Sequence, residues 1–402
     1  MRVTANSLRD IWLQALSATQ AQLAQTQNQV STGQKFSRPA ENPIGAVQVL
    51  DLQRALSESS QYSRNADLAT NRLGVEETAL TSVGDVLQRL RELAVEANNA
   101  TQTNATRADI ASEVRQALDS LVQLANTKDA SDNYIFSGFS TQTQPFTRTG
   151  ATVTYAGDQG QRQIQIGASR KVADSDNGAA VFQAIASGNG VFTVQAGSAN
   201  TGTGVLGQRT VTDPTQYDGG SYAINFTSPT TYEVRDAANA LVTSGTFAPG
   251  QSTTAQTIAF RGIQFEISGA PATGDSFQVA ASRNQDLFAS VQSFITALDS
   301  GASSPAGQAA INNQIGNFLA DVDQSITHVL DVRAQVGSRL NALDSQKDFN
   351  ASVDLHNKSL LSDLQDLDYA DALSRLNLQL TGLQASEKAF AQTQGLSLFN
   401  YL

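Results

Sequence analysis

The sequence predicts a multidomain fold, a long α-helical coiled-coil bundle formed by both chain ends, with a small β-hairpin region and an inserted β-rich outer domain. Apolar residues recur at helical spacing near both ends of the 402-residue chain. Proline is absent from residues 44–144 and from every position after Pro305, so long helices are permitted there. Glycine and short alternating runs concentrate in residues 188–282, which is typical of strands and turns.

The first helix is predicted from one apolar stripe near the N-terminus. Its members are Leu8, Trp12, Leu16, Leu23 and Val30. Gly33 follows where the helix would end, because glycine readily adopts the left-handed backbone of a helix C-terminus. Residues 32–42 are then a bend. Asn42 as N-cap and Pro43 at the first helical position predict the start of a second helix.

The second helix is predicted to run to about residue 97 and to pair with a third. Its apolar residues keep a seven-residue rhythm that is typical of a coiled-coil seam, at Leu73, Leu80, Val83, Leu87, Leu90, Ala94 and Ala97. Residues 98–106 interrupt the rhythm, and residues 107–129 resume it. We interpret the two segments as a helical hairpin.

Strand patterns fill the centre of the chain. Residues 134–166 alternate around Gly157 and Gly160, which predicts small hairpins, and residues 179–186 suit one or two short helical turns. Residues 188–283 hold short runs of β-branched and aromatic side chains, which predict a separate inserted domain.

Helical spacing returns after the insertion, first in residues 287–298 and then in residues 306–349. The second of these helices would be about 65 Å long at 1.5 Å per residue, and such a rod needs flanking helices. The segments on either side of the insertion are therefore expected to pair across it. The predicted domains are a terminal coiled-coil assembly domain (1–43 plus 362–402), an elongated helical-bundle domain with β-hairpins (44–187 plus 284–361) and the inserted domain (188–283).

The last helix carries a second apolar stripe, starting at Tyr369, that continues to the end of the chain. An isolated amphipathic helix is marginal in water, so the two terminal stripes are expected to order when they pack on each other or on neighbouring copies. The alternative is that each stripe is ordinary intramolecular core. The predicted assembly interface comprises Leu8, Trp12, Leu16, Leu23, Val30, Leu373, Leu376, Leu380, Leu383, Phe390, Leu396, Leu398 and Leu402.

Composition argues against several classes of partner and site. A net charge of −11 and a pI near 4.7 argue against nucleic acid and against anionic membranes, because both require a basic face. The chain has no cysteine, which excludes disulfides, thiolate metal sites and cysteine nucleophiles. No apolar stretch has the length of a membrane span, and no cleavable secretory signal is recognised, so export is expected to use another route.

Candidate catalytic and ligand residues are few. His328 and His356 lie at helical positions without companion ligands, so a structural role is favoured over metal binding or catalysis. A G-x-G-x-x-G string spans residues 202–207, but no βαβ unit surrounds it, so loop glycines are favoured over a nucleotide site. Four aspartates in residues 363–371 precede the last helix, where negative charge stabilises a helix start. No catalytic, cofactor-binding or metal-binding residue is predicted.

Five segments resemble the flagellins and hook-associated proteins of bacterial flagella. Residues 29–50 are similar to the family's turn and entrance to its second helix, and residues 371–402 to its C-terminal helix. Residues 332–349 share its Arg-Ala-x-x-Gly-x-x-x-Asn-x-Leu pattern. Residues 133–146 and 262–279 resemble elements of the junction and hook-associated members. Pro39 and Glu41 stand where filament flagellins usually carry Ala and Asp, which counts against a filament flagellin and not against a junction member.

The resemblance implies a structural protein, without enzymatic activity or cofactor, that is secreted by flagellar type III export and is extracellular in the bacterial flagellum. It implies a ring of identical subunits between hook-associated protein 1 and flagellin, and an export chaperone for the C-terminal region. Nucleic acid and membrane insertion are not expected. Filament flagellin is the nearest alternative. More distant alternatives are a secreted enzyme and an adhesin-like protein whose Tyr217, Tyr222 and Tyr232 would stack on a ligand.

Overall fold

The computed structural model describes residues 5–249 and 255–395, with side chains described from Asp10 to Gln392 outside residues 250–254. Within these ranges the chain forms long helices on both sides of a β-rich centre, as the sequence predicts. The helices are α1 (Ala5–Thr32), α2 (Pro43–Ala97), α3 (Asn104–Ala125), α4 (Leu287–Asp299), α5 (Pro305–Gln365) and α6 (Tyr369–Gly395), with a π-helical turn at Ala179–Gln183.

The described strands form antiparallel sheets and hairpins. A five-stranded sheet has the order β10-β9-β8-β13-β6 and a three-stranded sheet the order β11-β12-β7, while β1 pairs with β2, β3 with β4 and β5 with β14. The strands are β1 (Phe146–Thr149), β2 (Thr152–Tyr155), β3 (Gln163–Gln165), β4 (Lys171–Ala173), β5 (Ile185–Ala186), β6 (Phe192–Ala196), β7 (Val205–Val211), β8 (Tyr222–Ser228), β9 (Thr231–Asp236), β10 (Leu241–Thr246), β11 (Gln256–Phe260), β12 (Ile263–Ser268), β13 (Ser276–Ala281) and β14 (Asn284–Gln285).

The chain divides into two compact units. The terminal unit comprises Met1–Arg64 and Gln346–Leu402, and the central unit comprises Asn65–Ser345. Helices α2 and α5 each contribute residues to both units. The three domains drawn from the sequence remain a prediction, because this division into two units does not test where those boundaries lie.

Helix ends follow the local sequence signals. The Asn42 side-chain oxygen accepts the Gly45 N–H at 3.0 Å, which confirms the predicted cap of α2. Thr103 caps α3 in a reciprocal capping box with Thr106. Helix α3 stops four residues before the predicted end at 129, because the Asn126 side chain bonds both the N–H and the C=O of Phe146 at 2.9 and 2.8 Å. Helix α5 continues past the predicted end at 349 to Gln365, since neither glycine nor proline interrupts it there.

The core of the central unit joins the segments on either side of the insertion. Leu73 to Ala97 of α2, Ile110 to Ala125 of α3 and Ile311 to Leu343 of α5 contribute to one buried cluster, together with aromatic residues of the hairpin region. Phe294 of α4 stacks on Phe318 of α5 with ring centroids 4.2 Å apart. This shared core confirms that the rod of α5 is flanked by α2 and α3, as its length required.

A buried ionic cluster ties the hairpin region to the bundle. Arg72 of α2 pairs with Asp129 and, through Nε at 3.2 Å, with Asp174, which also accepts Arg162 Nε at 2.7 Å. Beside it, the buried Glu76 carboxylate accepts the Asp176 N–H at 3.1 Å. Burial, reinforced by the charge of Asp176, raises the pKa of Glu76 well above its ordinary value. We call Arg72, Asp129, Asp174 and Arg162 the Arg72 cluster; no pattern in the sequence indicated that these residues meet.

The insertion has its own core and is bonded to α5. Alternate residues of β8 and β12 point inward, with Tyr222, Ile224 and Phe226 buried opposite the same pattern in β12. The Asn313 side chain of α5 accepts the Leu206 N–H at 2.7 Å and donates to the Gly204 C=O at 2.9 Å. Asn313 therefore supplies hydrogen-bond partners to main-chain groups at the free edge of β7, as a neighbouring strand would.

Candidate assembly interface

Helices α1 and α6 pack against each other in the terminal unit. The short link that follows α1 is also paired with the short link that precedes α6, because Gln34 and Asp366 form an antiparallel bridge. The Lys35 N–H donates to the Gln365 C=O at 2.8 Å, and the Leu367 N–H donates to the Gly33 C=O at 2.9 Å. The end of α1 and the start of α6 are therefore held together by main-chain hydrogen bonds between the segments that adjoin them.

Gly33 permits this pairing of the links. Its φ is +71°, a conformation that costs a residue with a side chain about 1–2 kcal/mol. A Cβ placed there would also lie 2.8 Å from the Tyr369 hydroxyl oxygen at the start of α6. The backbone thus favours glycine, and any side chain there would also have to displace the Tyr369 hydroxyl.

Replacement of Gly33 by alanine is expected to destabilise the paired links by about 1–2 kcal/mol or more, from the strained φ alone. Faster hydrogen exchange at the amides of Lys35 and Leu367, which donate across the links, measures this effect. Gly382→Ala is the matched control, since a Cβ at Gly382 meets no atom within 4 Å and alanine favours a helix interior. If the Lys35 and Leu367 amides exchange equally slowly in Gly33→Ala and in the unaltered protein, then Gly33 is not needed for the pairing of the links.

The predicted interface residues that the structure describes lie on both helices, α1 and α6. Leu23 is buried, and the half-buried members are Trp12, Leu16, Val30, Leu376, Leu380, Leu383 and Phe390. Leu373 is 46 % exposed. The side chains of Leu8, Leu396, Leu398 and Leu402 lie outside the described residues. The packing of α1 on α6 explains the partial burial of the stripes; their part in contacts between copies remains a prediction.

Several strongly exposed apolar side chains were missed by the sequence analysis. On α1 and α6 these are Ile11, Leu13 and Leu378, of which Ile11 is 62 % and Leu378 is 76 % exposed. The early turns of α2 and the late turns of α5 add a second exposed group, formed by Ile44, Val47, Leu50, Phe349 and Leu355. Large apolar side chains that stay exposed in one copy make these helices candidate contact surfaces. The available signal was that Ile11 and Leu13 flank Trp12, so α1 is apolar on more than one face.

The charge pattern of these helices suits burial against protein. From Ile11 to the end of α1 the sequence has no charged residue, and α6 has only Asp371, Arg375, Glu387 and Lys388. Asp371 and Arg375 already pair with each other at 2.9 Å. A partner that covers this surface therefore desolvates few charges, so little of the gain from apolar burial is lost.

One of the aspartates near the start of α6 caps this helix. The Asp368 side chain accepts the N–H groups of Ala370 and Asp371 at 2.9 and 3.2 Å, whereas the Asp366 carboxylate accepts the hydroxyl of Ser362 in α5 at 2.6 Å. Asp368 before α6 and Asp371 in its first turn agree with the expectation that negative charge stabilises this helix start. Across the described ranges, no set of three His, Asp or Glu side chains is placed to hold a metal ion.

Gly202 and Gly204 of the glycine string lie in a loop whose N–H groups already bind a carboxylate, whereas Gly207 lies in β7. The N–H groups of Thr201 and Gly202 donate to the Asp275 carboxylate at 2.8 and 3.0 Å, and that of Ala272 donates at 2.9 Å. Asp275 is buried, so the chain's own carboxylate fills the position that a phosphate would take. This geometry agrees with the expectation of loop glycines at Gly202 and Gly204, and it corrects that expectation at Gly207, which is a strand residue.

The remaining candidate residues have structural partners. His328 Nε2 lies 2.9 Å from the Ala180 carbonyl oxygen. Tyr222 is buried in the core of the insertion, and Tyr217 and Tyr232 pack against that core. Tyr222 therefore offers no open ring face of the kind that the adhesin alternative needs, and packing half-buries Tyr217 and Tyr232. Among the described helices, none combines the length and apolar character of a membrane crossing.

Comparison with known protein families finds three matching family models. The bacterial flagellin N-terminal helical region matches residues 3–141, and the bacterial flagellin C-terminal helical region matches residues 319–402. The D2-like domain of flagellar hook-associated protein 1 matches residues 195–281, which lie in the insertion. The helical ends and the inserted domain thus match separate models from flagellar proteins.

Individual relatives match over greater lengths. Flagellar hook-associated protein 3 of Escherichia coli K12 is 27 % identical over 99 % of both chains. The crystal structure of Xanthomonas campestris FlgL is 37 % identical, covering 77 % of this chain and 99 % of that one, with a TM-score of 0.72. Flagellar hook-associated protein 3 of Legionella pneumophila is 28 % identical, covering 78 % and 98 %, with a TM-score of 0.73.

Proposed function

Because this chain belongs to the family of FlgL, flagellar hook-associated protein 3, we propose that it forms a ring of identical subunits joining the hook to the flagellin filament. Membership confirms the predicted resemblance and makes the chain a structural component of the bacterial flagellum. The observation that carries the proposal is the pair α1 and α6, whose apolar side chains stay exposed within one copy. Neighbouring subunits would cover them.

The partners follow from the position of such a ring. Hook-associated protein 1 would lie on the hook side, which is supported by the match of the insertion to a domain of that protein. Flagellin would lie on the filament side, which is supported by the match of both helical ends to flagellin regions. An export chaperone would bind the C-terminal region, where uncovered apolar helix otherwise favours premature association.

The same proposal includes export as an unfolded chain by the flagellar type III route to the cell exterior. A chain without cysteine forms no disulfides before export, and the terminal helices need partners before they are stably ordered. Catalysis is not part of the proposed role, because assembly needs contact surfaces and no reacting groups.

Deletion of the gene in its own bacterium tests the proposed function. Electron micrographs are expected to show hooks without filaments, with flagellin released into the medium, and expression of the unaltered gene is expected to restore filaments. Normal filaments in the deletion strain would contradict the junction role. Growth of the purified protein alone into long filaments would favour the flagellin alternative instead.

A further inference from the structure

A cavity of about 390 Å³ lies where the insertion meets the helical part of the central unit. Its walls come from β6, β7 and β13 of the insertion and from Asn317 and Asp321 of α5. This volume is in the range of pockets that hold small molecules. The cavity is separate from the exposed apolar residues of the terminal unit, and junction assembly gives it no role.

Arg209 of β7 is directed into this cavity by an irregularity in its strand. Phe265 and Ile267 of β12 pair with Arg209 and Leu206, so β7 has one extra residue, in the segment that holds Gly207 and Gln208. Such a bulge re-aims the side chain that follows it and is frequent beside binding sites. The last glycine of the G-x-G-x-x-G string therefore takes part in positioning an arginine.

The Arg209 guanidinium lacks a full set of partners among the described residues. Its Nη2 donates to the Asn317 side-chain oxygen at 2.5 Å, but its Nε is shielded from solvent and bonds to nothing. No described carboxylate forms an ion pair with it. Asp321 lies near enough for its charge to act on Arg209, although the two form no ion pair, and its oxygens accept the Gly188 N–H at 2.9 Å and the Ser290 hydroxyl at 3.3 Å. Shielded guanidinium donors are costly unless an anion or acceptor meets them.

Arg283 gives the cavity a second cation. It is exposed, lines the same cavity, and has no ion pair among the described residues. Gln195, Gln278 and Asn284 add side-chain amides to the walls. Guanidinium groups bind carboxylates through paired hydrogen bonds, and amides bind hydroxyl groups as donors and acceptors.

We propose that this cavity binds a small hydroxylated carboxylate, of the sugar-acid class, with Arg209 and Arg283 holding the carboxylate and the amides holding hydroxyl groups. Two arginines against the single carboxylate of Asp321 leave the lining of this cavity with a net positive charge, which favours an anion over a neutral sugar. Bound ligand would also join β7 to α5 beside the Asn313 bonds and so steady the insertion on the helix.

Calorimetric titration of the purified full-length protein with D-glucuronate tests this proposal. D-glucose, which has no carboxylate, is the matched control ligand. Saturable binding of glucuronate and none of glucose is expected. Arg209→Gln and Arg283→Gln are each expected to weaken binding about tenfold or more, the effect of losing a charge-assisted hydrogen bond. Arg261→Gln, at an exposed arginine of the insertion that pairs with Asp218, is the matched control and should bind normally.

Three results would overturn the proposal: no saturable binding of glucuronate, equal binding of glucose, or full affinity in both arginine variants. Circular dichroism shows whether Arg209→Gln is folded, and exposed Arg283 provides a variant that should fold normally. Concentration-dependent association that Arg209→Gln abolishes and glucuronate does not compete with would mean that an acidic side chain of a second copy occupies the cavity. That outcome also overturns the small-molecule site, and none of these results bears on hook–filament joining.

Discussion

Replacement of Asp174 by alanine is expected to lower the free energy of unfolding of the central unit by about 3–5 kcal/mol, the usual cost of removing one partner from a buried ion pair. Asp174 is fully buried and contacts the guanidinium groups of Arg72 and Arg162. Its loss leaves Arg72, itself buried, with only Asp129 as a counter-charge. Thermal and urea unfolding followed by circular dichroism measure the change.

Asp51→Ala is the control for this prediction. Asp51 pairs with Arg54 at 3.3 Å on the exposed side of α2, and exposed pairs contribute about 0–1 kcal/mol. The control is therefore expected to unfold close to the unaltered protein. If Asp174→Ala lowers the free energy of unfolding by less than about 1 kcal/mol, then water or rearrangement stabilises the two arginines. That result would contradict the burial of Arg72 and Asp174.

The helical framework was predictable because its signals are local. Proline-free heptads, the Asn42 cap and Gly33 each act within a few residues, and the structure places α2 and the end of α1 where these signals predict. The Arg72 cluster was not predictable. Arg72 and Asp174 are about a hundred residues apart, and in the sequence each looks like any solvated charge of a helix or loop.

The stripes of the candidate interface were predictable from the sequence, but the exposed residues beside them were not. Apolar spacing identifies which residues share a stripe of α1 or α6, but exposure depends on the helix that covers the stripe. Packing of α1 on α6 half-buries Leu376 and Leu380, while Leu378 lies between them in sequence and stays open. On α6 the most exposed leucine is thus one that interrupts the heptad pattern. Only the arrangement of both helices reveals them.

Simultaneous replacement of Ile11 and Leu378 by glutamate is expected to abolish stable attachment of filaments without unfolding the subunit. Both side chains are strongly exposed within one copy, so the variant protein should keep the helical content of the unaltered protein. In an assembled ring each side chain would be buried, and apolar burial contributes about 1.5–3 kcal/mol per side chain. Burying the introduced carboxylates adds the free-energy cost of removing their charges from water. The loss of binding free energy recurs at every subunit contact around the ring.

Swimming in soft agar and electron micrographs of the deletion strain carrying the double variant measure this effect, which should approach that of the deletion itself. Leu241→Glu is the matched control, because Leu241 is 55 % exposed but lies on edge strand β10 of the insertion. It should restore motility. If the double variant restores filaments as well as the control does, then the exposed apolar residues of α1 and α6 are not contacts between subunits. The half-buried stripes would in that case serve only the packing of the two helices on each other, as in any intramolecular pair.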